Sequence, residues 1–62
     1  MIPRSDIFLG QRVKLTLVNE LYDGRQGEVI QRPSKETGEF NVRLDSTKVE
    51  VVRVKPYQVD AL

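Results

Sequence analysis

The sequence predicts an all-β fold in which five short strands curl into a partly open barrel, with one 3-10 turn before the last strand. Three observations carry that expectation. Apolar and polar residues alternate over several short runs, which is the period of a half-buried strand. Turn signals separate these runs at spacings of roughly 8–12 residues, as in small barrels and sandwiches. The chain has 62 residues, and at this size folding buries only ~60% of the surface that the unfolded chain exposes. That allows one thin core. Four or five strands are too few for two packed sheets, so a barrel is preferred.

The elements follow in order. Residues 1–9 contain Pro3 and no periodicity, so they are expected to form a flexible N-terminal arm. Ile7, Phe8 and Leu9 cluster just before Gly10, and one or two of them are expected to close an end of the barrel, which spans 10–62. The first strand is placed at 11–18, with Val13, Leu15 and Leu17 on one face and Arg12, Lys14 and Thr16 on the other. Residues 19–24 form a loop with Leu21 and Tyr22 as its apolar members. Gly24, after Asp23, and Gly27 are expected to let the backbone turn where φ is positive. The second strand, 26–32, is stopped by Pro33, which cannot donate to a ladder. A polar turn at 34–38 leads to the third strand, 39–44, with Phe40, Val42 and Leu44 inward and Asn41 and Arg43 outward. After a turn at 45–47, the fourth strand, 48–54, is ambiguous: Val49 and Val51 share one face, Val52 and Val54 the other. A bulge near Val52 or Arg53 would bury both pairs in part. Pro56 opens a 3-10 turn over 56–59, and the fifth strand is placed at 60–62. The expected core is Val13, Leu15, Leu17, Val29, Phe40, Val42, Leu44, Val54 and Val59.

Composition narrows the chemistry. Ten basic residues face nine acidic ones for a net charge of +1, too balanced to drive nucleic-acid or membrane binding by bulk charge. Cysteine and histidine are absent, which removes disulfides, thiolate or imidazole metal sites and the usual general base. Stability must come from packing. The hydroxyls of Ser5, Ser34, Ser46 and three threonines have no histidine to activate them and no Gly-x-Ser-x-Gly elbow. The reading is a non-enzyme with no cofactor and no metal. With no tryptophan and only Phe8, Tyr22, Phe40 and Tyr57 as aromatics, neither a proline-peptide groove nor a methyl-lysine cage can be built. No apolar run approaches the ~20 residues of a membrane span, and no signal-peptide pattern is present. An intracellular protein, cytoplasmic or nuclear, is expected.

Gly10-Gln11-Arg12-Val13-Lys14-Leu15, followed by Tyr22-Asp23-Gly24-Arg25-Gln26-Gly27-Glu28-Val29, resembles the KOW-type motif of SH3-like small barrels. Thr37-Gly38-Glu39-Phe40-Asn41-Val42-Arg43-Leu44-Asp45 and Val54-Lys55-Pro56-Tyr57-Gln58-Val59 resemble the closing half of the same barrel. Together they cover nearly the whole chain from Gly10. Such domains occur in ribosomal proteins, transcription elongation factors and assembly proteins. The resemblance therefore implies an accessory domain of a larger protein or a small assembly protein. KOW domains touch RNA through the loop after the first strand. Here that loop is longer than usual and has Glu20 where the motif often has Gly.

Two functions follow as expectations. The first is a non-enzymatic protein-protein interaction or assembly module. An open barrel has strand edges that accept an extended segment. Exposed apolar residues drawn from Ile7, Phe8, Val18, Ile30, Val49 and Val51 would give it something to bury. The alternative is a KOW-type RNA- or DNA-binding module. Arg12, Lys14, Arg43 and Arg53 would form a phosphate-tracking strip, with Lys55 nearby, Arg25 at a loop tip, and Tyr22 or Tyr57 stacking on a base. Against that stands ordinary pairing of the basic residues with Glu28, Glu39 and Glu50 on neighbouring strands. Tyr22 would then plug the barrel end and Tyr57 pack over the last strand. The expected partner is another protein or peptide, with nucleic acid as the alternative and no membrane; the oligomeric state is left open.

Overall fold

The computed structural model describes residues 2–16, 18–45 and 48–62. Five strands form one sheet: β1 (Arg12–Leu15), β2 (Gln26–Val29), β3 (Phe40–Leu44), β4 (Val51–Val54) and β5 (Val59–Ala61). Their order is β4-β3-β2-β1-β5, every neighbouring pair is antiparallel, and the sheet curls into a half-barrel. A 3-10 turn, Pro56–Gln58, links the two edge strands. Pro56 suits its first position because the missing N–H would have no helical partner there.

Alternation sets the burial. β1 and β3 bury every second residue, so Val13, Leu15, Phe40, Val42 and Leu44 point to one side. Val29, Val54 and Val59 complete the predicted core, all of them essentially inaccessible. Leu17, also expected there, lies outside the described residues. The core also takes in Ile2 and Ile7. The stretch assigned to an arm thus contributes two core side chains around a short 3-10 turn, Arg4–Asp6. The Ile2 N–H donates to the Pro56 carbonyl at 3.3 Å, joining this stretch to the turn between the edges.

The fourth strand needs no bulge. Its pairing with β3 runs unbroken through Phe40↔Val54, Asn41↔Arg53, Val42↔Val52 and Arg43↔Val51. Val52 and Val54 face the core while Val49 and Val51 face out. The other register would have put Arg53, which shares the parity of Val49 and Val51, into an apolar centre, where an unpaired charge is prohibitive.

The two glycines of the first turn do different jobs. Gly24 has φ of 83° and closes the loop, its N–H donating to the Leu15 carbonyl at 2.8 Å. Gly27 is not among the glycines with positive φ. It sits inside β2, and a Cβ there would lie 2.4 Å from the Arg43 carbonyl oxygen and 2.7 Å from Cγ1 of Val42. Its role is close approach of β2 to β3 where the sheet bends, not turn geometry.

Candidate interaction surface

Register arranges the outward residues of the sheet in rows. One row runs Arg12 on β1, Glu28 on β2, Arg43 on β3 and Val51 on β4. The next runs Asp60 on β5, Lys14 on β1 and Gln26 on β2, and the Gln26 carbonyl accepts from the Asp45 N–H just beyond β3. A third joins Asn41 on β3 to Arg53 on β4, with the Ile30 N–H donating to the Asn41 carbonyl.

These rows bring Arg12, Lys14, Arg43 and Arg53 onto one face, where the sequence placed them. They also set Glu28, Asp45 and Asp60 among them, so the basic strip is interrupted by carboxylates. Arg12 makes a two-pronged contact with Asp45: Nη1 donates to Oδ1 at 2.9 Å and Nη2 to Oδ2. That hydrogen bond, with the charges of Arg12 and Arg43, holds the Asp45 carboxyl below its usual range against a smaller opposing effect of desolvation. The Arg12 guanidinium is raised in turn by the same hydrogen bond, and by the charges of Asp45 and Glu28. Sequence reasoning named Glu28 as a partner but missed Asp45, because the fork reaches over β2 and no local spacing signals it.

The remaining predicted site residues are dispersed. Arg25 is not at a loop tip. Its carbonyl accepts from the Leu15 N–H at 2.8 Å, and its half-buried guanidinium lies 3.7 Å from the Glu50 carboxylate. The large apolar residue exposed in this loop is Leu21. Tyr22 is half-buried against the core. Tyr57 is exposed and lines an open groove with Ile2, Pro3, Thr37, Lys55 and Pro56.

The outer edge of β4 is different. The Leu44 N–H donates to the Glu50 carbonyl at 2.9 Å. In an antiparallel ladder paired positions alternate, so Glu50, Val52 and Val54 bond to β3 while the N–H and C=O groups of Val51 and Arg53 point to the open side. β4 is terminal in the sheet. Val49 beside it is 85% exposed and Val51 49% exposed, two apolar side chains on an edge that no strand among the described residues covers. Around them Arg43, Arg53 and Lys55 are exposed, whereas the nearby carboxylate of Glu50 is taken by Arg25.

Among the described residues, no group of three or more acidic side chains could hold a metal ion, and no helix is long and apolar enough to cross a membrane. Compared with protein-family models, curated proteins and solved structures, the chain gives no significant match.

Proposed function

We propose that this chain is a non-enzymatic protein-interaction module, a small barrel of the SH3-like, KOW-type kind, that docks a partner along β4. The observation behind this reading is the exposure of Val49 and Val51 on an unpaired edge. Natural sheets protect such edges with inward charges, prolines or bulges, because an open row of N–H and C=O groups invites pairing. Val51–Val54 holds no proline and no bulge; its only protection is its four-residue length and the charge of Arg53. A surface that keeps β-branched apolar residues on an open edge is suited to covering by another polypeptide. The interleaving of Glu28, Asp45 and Asp60 with the basic residues weighs against phosphate tracking, which needs an uninterrupted cationic path.

Photocrosslinking tests this reading. A photoreactive amino acid replaces Val49 in one variant and Lys35, in the polar turn, in another. Both are exposed in cells that make the protein. Protease-sensitive adducts from position 49 and none from position 35 are expected. A nuclease-sensitive adduct would install nucleic acid as the partner, and equal labelling at both positions would remove the site.

A further inference from the structure

We infer that the occupant of the β4 edge is an extended peptide segment, added antiparallel as a sixth strand, with the outward pattern acidic-x-apolar-x-apolar read from its N-terminal side. The inference rests on the reading of the chain as an interaction module and gives that module a ligand class.

Backbone chemistry supplies the first half of the argument. Val51 and Arg53 each turn one N–H and one C=O to the open side, in the spacing that an added strand satisfies. The sugar-phosphate backbone of a nucleic acid offers no N–H groups, and its bases do not present donors and acceptors at the two-residue spacing of a strand. Side-chain chemistry supplies the second half. Outward residues along this edge read Val49, Val51 and Arg53, with Arg43 beside Val51 on β3. Cross-strand neighbours on one face interact directly, and opposite charges favour the pair while like charges oppose it. An incoming antiparallel strand thus meets Arg53 first, then Val51, then Val49. An acidic residue followed at alternate positions by two apolar ones matches that order.

The same charges disfavour a second copy of this chain as occupant. Antiparallel edge-to-edge pairing of two β4 strands about Val51 would set Arg53 of each copy opposite Val49 of the other, which gives neither cation an acidic neighbour. Within each copy the carboxylate of Glu50 is engaged by Arg25, and Glu28 already stands opposite Arg43.

The test uses the full chain, isotopically labelled, and an acetylated and amidated peptide of sequence Thr-Glu-Thr-Val-Thr-Val-Thr. Nuclear magnetic resonance is expected to show amide shifts centred on Val51 and Arg53. Hydrogen exchange of those two amides should slow about tenfold or more at saturation, since only backbone pairing protects them. A peptide with Lys for Glu should bind roughly twofold to fivefold more weakly, the range of a cross-strand charge pair, and Arg53→Glu should reverse that preference. Val51→Pro removes an outward N–H that β3 does not use, so the core signals should persist while binding is lost. If that variant does not fold, the Arg53→Glu reversal decides the question alone. Shifts without exchange protection would overturn the added strand. A concentration-dependent dimer with protected Val51 and Arg53 amides would make a second copy the occupant and overturn the peptide. Absence of peptide binding alongside a protein adduct from position 49 would sink this inference and leave the interaction module standing; absence of both would sink the two together.

Discussion

Replacing Gly24 and Gly27 separately by alanine should produce losses of different size for different reasons. At Gly24, with φ of 83°, an added Cβ would meet nothing within 4 Å. The cost there is the left-handed backbone alone, about 1–2 kcal/mol for a residue with a Cβ. At Gly27 the added carbon would lie 2.4 Å from the Arg43 carbonyl oxygen, whereas even close carbon–oxygen contacts sit at about 3.3–3.6 Å. Roughly 1 Å of separation must be found, by the same comparison. The neighbours that would yield are a β3 carbonyl and the fully buried Val42. Neither is the loose end of a flexible side chain. Overpacking of this kind costs about 1–3 kcal/mol and occasionally more; we place Gly27→Ala at the upper end. Both variants gain about 0.4–1 kcal/mol from a stiffer unfolded chain, which cancels in the comparison. At about 0.05–0.15 kcal/mol per residue, a chain of this length has only about 3–9 kcal/mol in total. Thermal melts followed by circular dichroism convert the difference to temperature at about 4–8 °C per kcal/mol. Gly27→Ala is expected to melt lower than Gly24→Ala, and Gly24→Asn to recover part of the loss, because Asn tolerates the left-handed region. A Gly27→Ala protein that melts with the parent, or above Gly24→Ala, would refute the close-approach argument.

Two further outcomes follow from the contacts. The folded-state pKa of Asp45 is depressed, so its contribution to stability is complete above the ordinary value of 3.8 and is lost as pH falls through the lower folded value. A carboxyl titration by nuclear magnetic resonance should give a midpoint below 3.8, rising in Arg12→Gln and in high salt. A midpoint at or above 3.8 in the parent would remove the fork. Ile2 is 5% exposed, so Ile2→Ala should cost about 2 kcal/mol, the low end for a large-to-small core change. An unchanged urea midpoint would show that residue 2 adds nothing to the core.

The inward set of β1 and β3 was legible because each run has one apolar parity and a polar complement: Val13 and Leu15 against Arg12 and Lys14, Phe40, Val42 and Leu44 against Asn41 and Arg43. Strand lengths were less legible. β1 ends at Leu15, and Thr16 already donates its N–H to the Gln58 carbonyl at 2.7 Å. That hydrogen bond joins residues far apart in sequence, so no local pattern announces it. The placement of Ile2 and Ile7 was hidden for the same reason, since they pack as single residues around a short turn and carry no period. The β4 register, by contrast, was decidable from the sequence. Taking Arg53 together with Val49 and Val51 makes that face costly to bury, and the two-faced valine pattern then ceases to be ambiguous.

The distribution of charge gives the surface its direction. A sheet with both signs interspersed satisfies most of its own side chains, and here it does so across strands: Arg12 with Asp45 and beside Glu28, and Arg25 with Glu50. Each exposed pair of this kind stabilises the fold by little, but it removes a cation from the set able to meet an external anion. Arg43 lies beside Val51, and Arg53 lies on β4 itself, at the end of the sheet where the backbone is open. Recognition at that edge, as proposed, would combine directional hydrogen bonds, a small apolar contact and one or two charges, and a polypeptide strand carries all three at the required spacing of two residues. Charge alone would not distinguish partners on a chain of net charge +1; under the proposed pairing, the order of an acidic and two apolar side chains along an added strand would.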